Sequence, residues 1–167
     1  MGFIAMNLST APDSSSLERV RAAILAAGLA DTITAFPAGT RTAADAAAAI
    51  GCTVAQIAKS IVLRAGARPV VVIASGANRV DTAKVAARLG MAVKRADADW
   101  VRETTGFAVG GVAPLGHLAP PILLFDADLM TLDPVWAAAG TPSHVFSVAP
   151  DALLRATGVA LADIRQD

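Results

Sequence analysis

The segment from Gly106 to His117 constrains the fold of this chain more than any other part of the sequence. It contains four glycines and one proline within twelve residues, and both residue types interrupt helices and strands. We therefore predict an irregular segment here. Clustered glycines also allow backbone N–H groups to turn toward an anion or a carbonyl oxygen. From the residues alone, the segment is equally consistent with a binding loop and with a tight connection between a helix and a strand.

Regular elements are predicted on both sides of this segment. Helices are predicted to begin at Ser15, Thr42, Thr53, Asp81, either Asp97 or Asp99, Pro134 and Pro150, and strands are predicted over 33–36, 61–63, 70–73, 91–93, 121–125 and 144–148. Helices and strands alternate irregularly, without clean βαβ repeats, which favours a single α+β domain. We expect this domain to span residues 14–167, after a flexible leader formed by residues 1–13.

The charge balance excludes several classes of protein. The chain has 14 basic and 14 acidic residues, and 54% of its 167 residues are hydrophobic. It is therefore too apolar for a disordered protein and lacks the basic excess of a protein that coats nucleic acid through phosphate contacts. No apolar run reaches the length of a membrane span, and the single cysteine, Cys52, suits a reducing compartment. We expect a cytoplasmic protein.

Lys59 stands out because the chain has only three lysines beside eleven arginines. It follows the predicted Thr53 helix and precedes the apolar strand 61–63. A lysine at an apolar junction must bring its ammonium group either to water or to an anionic partner. Lys84, in an amphipathic helix, is more simply a surface residue.

Other residues that carry chemistry form no recognisable cluster. His117 and His144 are far apart in the sequence, and neither has a third ligand at a metal-binding spacing, so we predict no metal and no cofactor. Ser143 and His144 are neighbours in the sequence, which does not define a catalytic triad. Trp100 and Trp136 lie in helical patterns and are expected to pack in the core.

Two motifs resemble a known family. Residues 105–117 read TGFAVGGVAPLGH, and Lys59 is followed by Ser60 and an apolar strand. Both are similar to the YbaK/prolyl-tRNA synthetase-associated editing-domain family, and the similarity extends over roughly residues 17–160. The resemblance implies a mixed, partly barrel-like sheet surrounded by helices. It also implies hydrolysis in trans of the ester that joins a wrong amino acid to the terminal adenosine of a tRNA, which supports translation fidelity.

The resemblance also implies a set of site residues. Lys59, Gly110 and Gly111 would form the catalytic part, with Lys59 holding the terminal nucleotide or its phosphate and the tRNA 2′-hydroxyl assisting. The residues implied to contact the substrate are Phe36, Thr42, Ser60, Pro114, Gly116, His117, Gly140, Thr141, Ser143 and His144. Some relatives carry an aromatic residue at the position of Thr42 and an acidic one near 144–146. This chain has neither, so alanine, serine, threonine and cysteine all remain open as substrates.

The expected partner is the acceptor end of a mischarged tRNA, and an aminoacyl-tRNA synthetase or an elongation factor is a further candidate. Neither DNA nor a membrane is expected to bind. Two alternatives stay open: an inactive module that binds aminoacyl-adenosine, and a hydrolase of amino-acid esters that uses no tRNA. For tRNA, zero net charge predicts few phosphate contacts and a weak dependence of affinity on salt.

Overall fold

The structure is a computed structural model, and it describes residues 12–36 and 42–167. Most of the predicted leader, residues 1–13, lies outside the described residues. Its last two residues begin helix α1 (Pro12–Ala26), so this helix starts before the predicted Ser15 capping box. Proline is compatible with the first helical position, because its fixed φ suits the helix and its missing N–H has no helical partner there.

The described strands form one mixed sheet. They are β1 (Thr34–Ala35), β2 (Ile57–Ala65), β3 (Arg68–Ser75), β4 (Lys94–Arg95), β5 (Ile122–Asp126), β6 (Val135–Ala138), β7 (His144–Val148) and β8 (Ala160–Ala162). Their order is β1-β7-β6-β2-β3-β5-β8, and β4 pairs with the end of β2. β2 and β3 form the antiparallel pair predicted around Gly66, whereas β2–β6, β3–β5 and β5–β8 are parallel. The predicted α+β class is confirmed.

Four more helices follow α1 among the described residues. They are α2 (Ala43–Ile50), α3 (Thr82–Leu89), α4 (Ala98–Thr105) and α5 (Pro150–Thr157). The predicted N-caps Thr42, Asp81 and Asp97 each accept a backbone N–H in the first turn, which satisfies donors that the helix itself leaves unpaired. Within the described ranges, none of the helices is both long enough and apolar enough to cross a membrane.

Two of the predicted helices are wrong. Thr53 forms its capping box with Gln56, but only a 3₁₀ turn follows, and β2 begins at Ile57. Lys59 therefore lies inside a strand and not at a helix–strand junction. The segment after Pro134 is strand β6, which pairs with β2 on one side and β7 on the other. In both places, pairing with distant strands outweighs the local preference for a helix.

Smaller differences concern short strands at the edges. The strand predicted over 91–93 is instead β4, two residues at Lys94–Arg95, and β8 was not predicted. Short edge strands carry few apolar residues, so their period-2 pattern is too brief to read from the sequence.

Strand β3 separates two hydrophobic clusters. Val71 and Ile73 pack into the larger one, together with Phe107, whereas Val70 and Val72 pack into the smaller one. Because successive side chains of a strand point to opposite faces, a strand buried on both faces has no polar side. This accounts for the continuous apolar run that the sequence shows here.

Helix α1 is hydrogen-bonded to both ends of the glycine-rich segment. We call this segment, residues 106–117, the glycine loop. Arg19 Nη2 donates to the carbonyl oxygen of Gly106 at 2.8 Å, and Arg19 Nε donates to that of Gly116 at 3.1 Å. The guanidinium also lies 4.8 Å from the centre of the Phe107 ring. Burial lowers the pKa of Arg19, but the group stays charged. One side chain thus joins two carbonyls that are ten residues apart.

Two glycines allow α1 to approach the rest of the chain closely. A Cβ atom on Gly140 would lie 2.7 Å from the carbonyl oxygen of Ser16, and Gly140 has a φ of 97°. A Cβ atom on Gly116, whose φ is 84°, would lie 3.3 Å from the carbonyl oxygen of Arg19. Helix α1 is therefore the common support of the glycine loop and of the β6–β7 turn, residues 139–144.

We predict that Arg19→Met lowers the free energy of unfolding by about 2–3 kcal/mol, because methionine keeps the apolar stem but removes both charge-assisted hydrogen bonds. Urea unfolding followed by circular dichroism measures the change. Arg21→Met is the matched control on the same helix. Its exposed ion pairs with Glu18 and Asp31 are expected to contribute about 1 kcal/mol or less. Equal decreases in the free energy of unfolding for both variants would contradict the proposed role of Arg19 in holding the glycine loop against helix α1.

Candidate functional site

Two adjoining cavities share one wall. The first cavity, about 380 Å³, is lined by Phe36, Thr42, Ala43, Ala46, Ile57, Ala58, Lys59, Ser60, Ile61, Val109, Gly110, Val112, Trp136, Ala138, Thr141, Pro142, His144 and Val145. The second cavity, about 490 Å³, is lined by Lys59, Ser60, Ile61, Val62, Leu63, Arg79, Val80, Thr82, Arg95, Ala96, Val101, Val109, Gly110, Val112 and Gln166. Strand β2 and the glycine loop supply the residues common to both, so the two spaces meet at Lys59 and Gly110.

The residues implied by the resemblance divide into two groups. Those that line the first cavity are Phe36, Thr42, Lys59, Ser60, Gly110, Thr141 and His144. Those that line neither cavity are Gly111, Pro114, Gly116, His117, Gly140 and Ser143. The second group belongs to the glycine loop and to the β6–β7 turn, two segments that contribute other residues to the lining of the first cavity.

Lys59 lies on β2 opposite Ala74 of β3, at the junction of the cavities. Its pKa is lowered chiefly by burial and further by the nearby charge of Arg79, while Asp126 acts in the opposite direction. The ammonium has no ion pair among the described residues. A half-buried cation beside a second cation favours an anionic ligand, because such a ligand would relieve both burial and repulsion.

Ser60 carries a hydroxyl that the described part of the protein leaves unpaired. Its Oγ atom is buried and has no hydrogen-bond partner within residues 12–36 and 42–167, although the residue lines both cavities. Buried polar atoms in folded proteins are nearly always paired, so an orphan beside a cavity is typical of a group that binds a ligand or an ordered water.

Asp126 holds the turn that carries Arg79. This carboxylate is 2% exposed and accepts the backbone N–H of Ser75 at 3.0 Å and the Asn78 side-chain amide at 2.8 Å. It also accepts the backbone N–H of Asp128 at 3.0 Å. Asp126 belongs to neither of the two sequence motifs. A polar residue directly after a buried strand was the signal available, and the described residues contain no group of three or more potential metal ligands.

The glycine loop touches the β6–β7 turn backbone to backbone. A Cβ atom on Gly111 would lie 2.8 Å from Thr141 Cα, so a larger residue at 111 would push the two walls apart. Gly110 has a φ of 91°, a conformation that other residues rarely adopt. Val109 is 61% exposed at the rim between the cavities, which leaves an apolar side chain free to contact a bound molecule.

His117 lies outside both cavities. Its ring donates from Nε2 to the carbonyl oxygen of Ala113 at 2.7 Å and meets the Phe107 ring edge-on, with 5.1 Å between ring centres. Burial, helped by the charge of Arg19 and opposed by the hydrogen bond to Ala113, lowers the pKa of His117 to about 4. The neutral ring thus stabilises the glycine loop through its contacts with Ala113 and Phe107, two residues of that loop.

The two tryptophans have different surroundings. Trp100 is partly buried against the larger hydrophobic cluster, with the Arg64 guanidinium 4.5 Å from a ring centre. Trp136 lies on β6 and lines the first cavity, so the expectation that it packs in the core is wrong. The error follows from reading its segment as a helix.

Comparisons with known proteins give one family model and several similar proteins and structures. The family model for the aminoacyl-tRNA editing domain matches residues 37–156. The uncharacterized protein YwhH of Bacillus subtilis (strain 168) is 28% identical over 139 residues, which cover 83% of this chain and 88% of YwhH. A crystal structure described as that of a candidate trans-editing enzyme for prolyl-tRNA synthetase is 40% identical, with a TM-score of 0.86, and covers 91% of this chain and 98% of its own. The hypothetical protein APE2540 is 30% identical with a TM-score of 0.82, covering 89% of this chain and 99% of its own.

We predict that His117 makes the stability of the protein depend on pH. Its pKa is about 4 in the folded protein and about 6.5 in an unfolded chain, so the unfolded state takes up the proton first as the pH falls. The stabilisation is complete above about pH 6.5 and is lost toward pH 4, by up to about 3 kcal/mol.

Urea unfolding of the wild type and of His117→Gln at several pH values between 7.5 and 4.5 tests this prediction. The free-energy difference between the two proteins is expected to shrink as the pH falls, since glutamine does not titrate. Parallel pH profiles would show that His117 is not buried in its neutral form.

Proposed function

The chain belongs to the aminoacyl-tRNA editing domain family, which confirms the family resemblance of its motifs, and we propose that it is a deacylase that hydrolyses mischarged aminoacyl-tRNA in trans. The observation that carries this proposal is the pair of cavities joined at Lys59 and Ser60. An aminoacyl ester has two dissimilar parts, an amino acid and a nucleotide, with the bond to be broken between them. Two unlike cavities with a polar junction match that division.

The first cavity suits the amino acid. Its walls include small apolar side chains, among them Ala46 and Ala138, and the larger ring of Trp136. The Thr42 hydroxyl already accepts the backbone N–H of Asp45, so one acceptor position of this oxygen is used in capping helix α2. This space favours a small residue, and alanine, serine, threonine and cysteine are the substrates to compare. Pocket size separates amino acids by only about 1–3 kcal/mol per methylene.

The second cavity suits the nucleotide and its phosphate. Arg79 and Arg95 line it together with Lys59, and no acidic residue is among the described residues that line it. Guanidinium groups bind phosphate oxygens through paired hydrogen bonds. The strand that ends a tRNA would enter here, with its terminal ribose at the junction of the cavities.

The chemistry at the junction requires only modest assistance. An ester carbonyl at this point would lie beside the Lys59 ammonium and the backbone of Gly110, which can stabilise the negative charge that develops on its oxygen. Water held next to the carbonyl attacks, the ester bond breaks, and the proton passes to the ribose oxygen that leaves. The neighbouring 2′-hydroxyl of the tRNA is the group best placed to relay that proton.

We predict that the protein deacylates at least one tRNA charged with alanine, serine, threonine or cysteine. Release of labelled amino acid from each charged tRNA under single-turnover conditions measures the rate. Lys59→Ala is expected to lower the rate about 100-fold, since it removes a charge aimed at the reacting group. Lys94→Ala is the matched control, because this exposed lysine lines neither cavity and should leave the rate unchanged.

Three results would contradict the proposal. No release above background with any of the four tRNAs at enzyme excess would favour an inactive module that binds aminoacyl-adenosine. Equal rates with free aminoacyl-adenosine and with full-length tRNA would favour a small ester hydrolase. Full activity of Lys59→Ala would remove this lysine from the site.

We also predict a shallow dependence of tRNA affinity on salt. Three lining cations, Lys59, Arg79 and Arg95, correspond to a slope of log affinity against log salt of about −2 for single-stranded contacts. Arg95→Ala is expected to reduce the magnitude of the slope by about 0.7. Filter binding at several salt concentrations measures it, with Arg155→Ala on helix α5 as the control. A slope of about −5 or steeper would imply a much wider contact surface.

A further inference from the structure

The β6–β7 turn brings a buried hydroxyl against a histidine that lines the first cavity. Thr141 Oγ1 lies 2.6 Å from Nδ1 of His144, the shortest side-chain contact in the turn. The backbone closes the turn through the N–H of Ala139, which donates to the carbonyl oxygen of His144 at 2.9 Å. Thr141 is 4% exposed, and its backbone lies against Gly111. Its side chain is therefore confined.

The hydrogen-bond partners of Thr141 Oγ1 indicate where its proton goes. The oxygen accepts the backbone N–H of Ser143 at 3.2 Å, and this donor cannot be reversed. The Ser143 hydroxyl is more distant, 3.4 Å from Thr141 Oγ1 and 3.5 Å from His144 Nδ1. The hydroxyl proton of Thr141 makes its best hydrogen bond to His144 Nδ1, since the only other acceptor within reach of it among the described residues is the more distant Ser143 hydroxyl oxygen.

We propose that Thr141 is a positioning residue that holds the neutral His144 ring in the tautomer with its proton on Nε2. Nδ1 accepts the threonine hydroxyl, so the ring proton lies on the opposite nitrogen. Nε2 has no hydrogen bond to any residue that the structure describes, and His144 lines the first cavity. The ring therefore presents a hydrogen-bond donor to whatever occupies that space.

The ligand of this donor is an oxygen of the bound aminoacyl group, either the ester carbonyl or a side-chain hydroxyl; this part rests on the proposed function. A donor fixed before the substrate arrives loses no further rotational freedom on binding, and its tautomer excludes a ligand that brings only another donor. Thr141 would then influence the reaction without touching the reacting atoms.

Nitrogen NMR of histidine side chains tests the proposal without tRNA. In protein labelled with ¹⁵N, the two-bond correlations of the imidazole protons distinguish the Nε2–H tautomer from the Nδ1–H tautomer, and His144→Gln assigns the signals. We expect the Nε2–H pattern for His144 in the wild type. The Nδ1–H pattern in the wild type would overturn the proposal.

Three variants separate positioning from folding. Thr141→Val keeps the shape but removes the hydroxyl, and it is expected to give His144 a mixture of tautomers. Thr141→Ser keeps the hydroxyl and should restore the wild-type pattern. Ser143→Ala tests the more distant hydroxyl and should leave the His144 tautomer unchanged. An unchanged tautomer in Thr141→Val, or a changed one in Ser143→Ala, would overturn the proposal. Unchanged His117 signals report that each variant is folded.

Deacylation gives a second readout. Thr141→Val is expected to lower the single-turnover rate about threefold to tenfold, the loss of one ordinary hydrogen bond, and Thr141→Ser to recover it. An unaltered rate in Thr141→Val together with an altered tautomer would overturn the link to the substrate. If no charged tRNA is hydrolysed by the wild type, the proposed function fails, whereas the NMR result still decides the role of Thr141.

Discussion

A loop with four glycines has little intrinsic tendency to keep one shape, because glycine loses more backbone entropy on folding than any other residue. Helix α1 counters that tendency. Arg19 binds the carbonyl oxygens of Gly106 and Gly116, and the rings of the next residues, Phe107 and His117, pack against each other. The same helix supports Gly140 of the β6–β7 turn. Both walls of the first cavity therefore depend on contacts made outside it.

Local signals predicted the elements that depend on local chemistry. The caps at Thr42, Asp81 and Asp97 require only a side-chain oxygen and the first turn of a helix, so the sequence contains all the information. Strand β6 depends instead on partners from two distant parts of the chain. The hydrogen bonds of Arg19 likewise could not be predicted locally, since its two acceptors are 87 and 97 residues away in the sequence.

The cavity-lining residues of the candidate site were predictable where a motif marks them and not where distant strands bring them together. Lys59 and Gly110 lie in the two motifs, and both line the junction of the cavities. Arg79 and Arg95 belong to no motif, and only the pairing of β4 with β2 and the Asp126 network bring them near Lys59. Zero net charge, read over the whole chain, conceals this local group of cations.

The two cavities also have a consequence for how such a protein can change over evolutionary time. Helix α2, β6 and β7 contribute walls to the first cavity only, whereas Arg79, Arg95 and Gln166 contribute only to the second. Ala43, Ala46 and Ala138 line the first cavity and not the second, so enlarging one of them reshapes the first space at a distance from the Arg79 and Arg95 wall. Under the proposed function, amino-acid selectivity and nucleotide affinity would therefore diverge separately, each through its own set of substitutions.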